Sequence, residues 1–130
     1  MSDVWKKLQV KERKSWLVIN APEAFREVLK ETPADTLDDM PEKQAYEVIL
    51  SFVKTEEEIA EAALLAEERL AEGGIFWVMY PKKSSKKYST EISRDQGWSS
   101  MEKKEFKAVR QIAIDEDWSA LRFRPASEWK

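Results

Sequence analysis

Lys82-Lys83-Ser84-Ser85-Lys86-Lys87 is the segment of this sequence whose residue types are best suited to chemistry on a ligand. Ammonium groups and hydroxyls, with the N–H groups of a loop, are donors for phosphate or another anion. The segment follows the apolar run 75–79 and Tyr80-Pro81, and no acid intervenes before Glu91. A buried strand is expected to end there, and ligands of open α/β sheets sit at the carboxyl ends of strands. A helix beginning after the loop would add its N-terminus, with Arg94 nearby. The plain alternative is a solvated lysine loop. A Ser-Lys arrangement, Ser84 or Ser85 with Lys82 or Lys83 as base, is conceivable, but it needs a desolvated lysine and these look solvated.

Other chemistry is limited by what is missing. The sequence has no His and no Cys, so Ser-His-Asp and Cys-His catalysis, zinc fingers and iron–sulfur ligation are excluded. Asp115, Glu116 and Asp117 could contribute to a hard-cation site, but three consecutive side chains diverge, and an acidic hairpin turn is the preferred reading. No catalytic residue and no metal site are expected.

Length and composition bound the architecture. A chain of 130 residues, 42% apolar and 36% charged with three Gly and five Pro, has the composition of one folded domain. We read residues 1–14 as an N-terminal helix or turn, 15–125 as the core and 126–130 as a tail. No apolar run reaches the length of a membrane span, and residues 1–7 lack the apolar core of a signal peptide. A cytoplasmic location is the expectation. Residues 1–74 carry 10 Lys or Arg against 17 Asp or Glu, while residues 75–130 carry 12 against 8, so an anion site belongs more naturally to the second half.

The elements that must position these groups are legible in part. Trp16-Leu17-Val18-Ile19 is a short continuous apolar run of the kind a strand buried on both faces shows. It ends in Asn20-Ala21-Pro22-Glu23; proline suits a helix start, and Phe25, Val28 and Leu29 share one helical face, predicting a helix over 22–31. Residues 32–45 read as a loop with a short edge strand around 36–38. Residues 46–53 read as a strand. Thr55 with Glu58 forms a capping box, and Ile59, Ala63, Ala66 and Leu70 make the buried stripe of the following helix. Gly73-Gly74 is expected to end that helix. Residues 75–80 return as a strand, which completes a βαβ crossover and two parallel neighbours.

Beyond the lysine loop, Ser93-x-x-Gln96 and Ser99-x-x-Glu102 are competing helix starts. Residues 108–114 and 118–123 read as an antiparallel hairpin, and the alternation of Leu121 and Phe123 with Arg122 and Arg124 indicates one covered and one wetter face, as expected near a sheet edge. Trp16, Trp77 and Trp118 are expected in the core. Trp98 is expected to pack at a helix start, with stacking on a ligand ring as the alternative.

This order of elements resembles a shortened class I methyltransferase-like Rossmann fold. More specifically, Leu17-Val18-Ile19-Asn20-Ala21-Pro22, Trp77-Val78-Met79-Tyr80-Pro81-Lys82-Lys83-Ser84-Ser85, Arg94-Asp95-Gln96-Gly97-Trp98 and the segment 109–124 are similar to a small bacterial family of unknown function. The resemblance implies an S-adenosylmethionine site against the turn after the first strand, with an acid after the second strand on the ribose. That turn is Asn20-Ala21-Pro22-Glu23, without glycine, so side chains hinder close approach of the backbone and Pro22 removes a donor.

The expectation is therefore a single α/β domain with a mainly parallel sheet of about five strands and a C-terminal antiparallel hairpin. Its expected function is noncatalytic: binding of an anionic small molecule or an acidic protein partner at the strand ends, with no required cofactor. The candidate residues are Asn20, Lys82, Lys83, Ser84, Ser85 and Arg94. The alternative is a divergent S-adenosylmethionine-dependent methyltransferase. Nucleic acid ranks last among partners, because the chain is acidic overall and lacks glycine-aromatic interleaving.

Overall fold

The structure is a computed structural model that describes residues 7–8, 10, 14–30, 36–40, 42, 44–83, 85, 92, 97–114 and 116–125. Strand β1 (Ser15–Ile19) leads through a tight turn to helix α1 (Glu23–Leu29) and the short strand β2 (Thr36–Asp38). Strand β3 (Tyr46–Phe52), helix α2 (Glu56–Arg69) and strand β4 (Leu70–Pro81) follow, then helix α3 (Ser99–Lys103) and the hairpin strands β5 (Phe106–Ala113) and β6 (Trp118–Pro125). Among the described residues these strands form one six-stranded sheet in the order β2-β1-β3-β4-β6-β5. The first four in that order are parallel; β6 runs antiparallel to both β4 and β5. The edge strand at residues 36–38 thus makes the sixth member of a sheet read from the sequence as about five.

Burial on both faces explains why β4 reads as a continuous apolar run. Phe76, Val78 and Tyr80 join the core beneath α2 and α3, while Ile75, Trp77 and Met79 join the core beneath α1. Successive side chains of a strand point to opposite faces, so both layers draw on the same strand. Trp16, Trp77 and Trp118 are all buried, as the sequence predicts.

Helix α2 begins as expected: Glu58 N–H donates to Thr55 Oγ1 at 3.1 Å. The Glu58 carboxylate accepts from Lys54 N–H at 2.7 Å, one residue before the cap. The helix stops earlier than expected, at Arg69, and Leu70 N–H donates to the Ala66 carbonyl as the chain enters β4 directly. Leu70 is therefore a strand residue, not part of the helical stripe. Gly73 does adopt a left-handed backbone, φ 74°, but within the irregular start of β4 rather than as a helix cap. Packing opposite Glu47 supplies the reason: a Cβ on Gly74 would lie 3.2 Å from the Glu47 carbonyl oxygen and 2.8 Å from that of Ala71.

The C-terminal strands and helix α1 add two further findings. Strand β6 is interior, between β4 and β5, and the outer strand is β5. The charged alternation of β6 fits a strand next to the edge: Leu121 and Phe123 are buried, while Arg124 is exposed and Arg122 is half-buried opposite Arg110. Helix α1 is also shorter than residues 22–31, and Pro22 precedes it, its carbonyl accepting from the N–H groups of Phe25 and Arg26 at 3.0 and 3.1 Å. Helix α3 starts at Ser99, the second of the two competing positions; the first lies outside the described residues, as do most of residues 1–14, the tail and Trp129. No helix among the described residues is long and apolar enough to cross a membrane.

Candidate functional site

The turn after β1 has the shape of a glycine turn without containing glycine. Asn20 has φ 60°. After glycine, asparagine visits the left-handed region most readily, because its short polar side chain can bond locally. Asn20→Gly is expected to change stability by no more than about 0.5 kcal/mol, while Asn20→Val costs about 1–2 kcal/mol, because a β-branched side chain crowds the following carbonyl there. Urea denaturation midpoints measure both.

Asn20 lies on a cleft of about 540 Å³ at the carboxyl ends of β1 and β2. Helix α1 contributes Arg26 and Lys30 to it; the end of β2 and the residues after it contribute Leu37, Asp38, Asp39 and Met40. Two cations and two acids thus line the same cleft. Arg26 Nε donates to the Ala21 carbonyl at 3.3 Å, which ties the guanidinium to the β1 turn. Lys30 pairs with Glu27 at 3.1 Å in an exposed contact of small energetic weight. Leu37 and Met40 are large apolar residues exposed by 41% and 67%, and both line the cleft.

The acidic wall is held from below by Tyr46. This residue is fully buried, yet its hydroxyl donates to Asp38 Oδ2 at 2.5 Å and accepts from Glu42 N–H at 3.0 Å. Between β2 and β3 the chain has only residues 39–45 with which to cross β1, whereas parallel neighbours usually need a dozen or more. Tyr46 fastens this short crossover to the last residue of β2. The Tyr46 ring lies in the layer shared with Leu17, the residue opposite Asp38, whereas Val48 lies in the other layer, and the pairing with β4 is irregular between these two positions.

The lysine loop occupies a different place. Lys82 N–H donates to the Asp117 carbonyl at 2.8 Å, and Ser85 N–H to the Lys82 carbonyl at 3.0 Å. Ser85 Oγ donates to Asp117 Oδ1 at 2.7 Å. The loop is thereby tied to the β5–β6 turn, with a carboxylate among its donors. Lys82 is half-buried and Lys83 exposed. β4 is separated from β1 by β3, about 10 Å across the sheet, and Lys82, Lys83 and Ser85 are not among the residues lining the Asn20 cleft. Ser84 and Arg94 lie outside the described residues.

Trp98 is buried, with its ring centroid 5.4 Å from those of both Tyr80 and Phe123, which assigns it to the core. Among the described residues no cluster of three or more acids could hold a metal ion.

Sequence reasoning missed Arg26, Lys30, Leu37, Asp38, Asp39, Met40 and Tyr46. The legible signal was Leu37-Asp38-Asp39 directly after a strand-turn-helix unit, where an apolar residue and two acids close a short edge strand. Tyr46 carried no signal, because its role depends on an irregular strand start.

Solved structures similar to this chain include a SAM dependent methyltransferase from Aquifex aeolicus, at 10% identity and a TM-score of 0.62 over 94% of this chain and 87% of that one. The N-methyltransferase NodS from Bradyrhizobium japonicum WM9 matches at 11% identity and 0.58 over 95% and 93%. The mitomycin 7-O-methyltransferase MmcR matches at 12% and 0.63, with 96% of this chain covering 53% of that one. The fold is therefore methyltransferase-like. No curated protein matches the chain in sequence. A family model described as "Protein of unknown function (DUF3052)" matches residues 20–126, the greater part of the chain, and the protein belongs to that family.

Proposed function

We propose that the protein binds a small organic anion in the β1–β2 cleft and transfers no group to or from it. The observation that carries this reading is that Arg26, Lys30, Asp38 and Asp39 line one cleft together with the exposed apolar residues Leu37 and Met40. The cations suit an anionic end of the ligand, the acids suit hydroxyl or amino donors, and Leu37 with Met40 suits a flat apolar part. A nucleotide-like molecule has all three features. The turn at Asn20, which lines the cleft, follows β1 at the carboxyl ends of the parallel strands and borders the point between β1 and β3 where the strand order reverses, a usual place for ligands of open α/β sheets.

A second reading is a divergent S-adenosylmethionine-dependent methyltransferase in the same cleft, favoured by the acids after β2 and the left-handed turn at Asn20. The fit is partial. The acids suit a ribose, whereas Ala21 and Pro22 present side chains and remove a donor where the cofactor needs close backbone. If bound, S-adenosylmethionine would supply a transferable methyl group; this chain would hold it through Asp38, Asp39 and the Asn20 turn. The loop at Lys82, Lys83 and Ser85 is a weaker anion site in this proposal, since Asp117 sits among its donors.

Thermal unfolding in the presence of AMP, ATP, phosphate, citrate, S-adenosylmethionine and S-adenosylhomocysteine separates the readings. A ligand at a hundred times its Kd stabilises by about 2.7 kcal/mol, a shift of several degrees. We expect AMP or ATP to give that shift, Arg26→Glu to abolish it, and Lys82→Ala with Lys83→Ala to leave it intact. Stabilisation by S-adenosylmethionine and S-adenosylhomocysteine alone would move the assignment to the second reading. No shift from any member of the panel would sink both.

A further inference from the structure

The end of the sheet away from the cleft, where β3 and β4 begin, holds a second cavity of about 390 Å³. Two departures from regular backbone shape its wall. β4 advances from Leu70 to Ile75 while β3 advances only from Tyr46 to Val48, so residues 71–74 leave the ladder, and Ala71 and Glu72 line the cavity. The second departure is Glu105, with φ 62°, in the region that glycine usually supplies after a helix; its N–H donates to the Glu102 carbonyl at 3.0 Å. That turn brings both Lys104, at the end of α3, and Phe106, the first residue of β5, to the cavity wall.

The apolar part of the lining is Leu70 and Pro125 with Phe106, whose ring is buried and packs against Phe76 at a centroid distance of 5.5 Å. The charged part is Glu67, Glu72 and Lys104. Lys104 Nζ donates to Glu67 Oε1 at 3.1 Å, which ties α3 to α2 and occupies one of the two acids. Glu72 makes no ion pair among the described residues. The last turn of α2 also lines the cavity, through Ala66 and Glu67, so the negative end of that helix adds to the Glu72 carboxylate. Negative charge in excess of the one lysine therefore stands beside an apolar ring, surroundings that suit a cation with an apolar body.

We propose that this cavity binds a small organic cation, a primary ammonium ion on a compact apolar body, with the ammonium at Glu72 and the body against Leu70, Phe106 and Pro125. Lys104 is the internal competitor for such an ion, because its own ammonium already holds Glu67. An anionic ligand would meet two acids and a single lysine that is already paired, so charge argues against it. The cavity is separate from the Asn20 cleft, and neither proposal depends on the other.

The test is an NMR titration of the whole isotope-labelled protein, at constant ionic strength, with phenethylammonium chloride, the neutral phenethyl alcohol and the anion hydrocinnamate. Amide shifts that saturate at Ala71, Glu72 and Phe106 are expected with phenethylammonium, at an affinity about fivefold above that for the alcohol, with hydrocinnamate weakest; an exposed charge pair contributes up to about that factor. Lys104→Met removes the competing ammonium and should tighten the amine by about twofold to fivefold while leaving the alcohol unchanged. Glu67→Gln with Glu72→Gln should make amine and alcohol bind alike, and thermal unfolding checks that each variant is folded. Equal affinity for amine and alcohol in the wild type would mean an apolar cavity without charge selection and would overturn the proposal. So would shifts centred on Asn20 and Asp39, which assign the amine to the other cleft, the absence of saturable shifts, or a Lys104→Met variant that binds the amine more weakly.

Discussion

Trp77→Ala is expected to remove most of the stability of this protein. Trp77 is fully buried on the central strand β4, within the layer that also holds Leu8, Trp16 and Trp118. Its Nε1 donates to the Leu8 carbonyl at 2.9 Å, so the ring both fills the core and holds Leu8 against the sheet. Truncating a buried tryptophan costs about 3–5 kcal/mol in lost transfer energy and residual cavity. The stranded Leu8 carbonyl adds about 1–3 kcal/mol if no water reaches it. Against a typical total of about 5–15 kcal/mol, the variant should unfold at much lower urea and melt more than about 10 °C lower. Trp77→Phe separates the two contributions, since it keeps most of the apolar volume and loses the donor. A loss below about 1 kcal/mol for Trp77→Ala would show that β4 is not the centre of this core.

Tyr46→Phe removes one oxygen and is expected to act on both stability and the cleft. The ring is fully buried and its packing is retained, so the loss falls on two hydrogen bonds: the donor to Asp38 and the acceptor for Glu42 N–H. Both bonds are part-buried, so their loss costs about 0.5–1.5 kcal/mol each. The crossover at residues 39–45 then loses its tie to β2, and amide hydrogen exchange across it should rise by about tenfold or more while that of β4 follows only the change in global stability. Any nucleotide affinity of the cleft should weaken in parallel, because Asp38 and the residues after it are no longer fixed in the lining they share with Arg26 and Lys30. Unchanged exchange at residues 39–45 would show that the short crossover is rigid without this clamp.

These two residues differ in how far the sequence discloses them. Trp77 lies in a run apolar at every position from Ile75 to Met79, which only burial on both faces explains, so its place in the core is readable without coordinates. The strand-turn-helix of β1 and α1, the Thr55 cap, the β3-α2-β4 crossover, the β2 edge strand and the terminal hairpin are readable for the same kind of reason. Each is encoded by local spacing, capping chemistry or turn residues. The end of α2 was misplaced because Gly73-Gly74 offers a left-handed backbone that either a helix cap or an irregular strand can use, and close packing against Glu47 selects the strand.

The candidate sites divide along the same line. Asn20 and the strand end before Lys82 follow from sequence, but their distance apart does not. β3 inserts between β1 and β4, so the lysine loop joins the β5–β6 turn and Asn20 joins the acids after β2 instead.

Most elements, the methyltransferase-like order in which they follow one another and most of the buried residues are legible in the chain alone, because these depend on neighbours within a few turns or strands. Tertiary structure alone decided which polar groups meet. Tyr46 reaches Asp38 only because its ring lies in the same layer as Leu17, at a strand start whose pairing with β4 is irregular. Such irregularities arise from pairing between distant segments, and no local pattern records them.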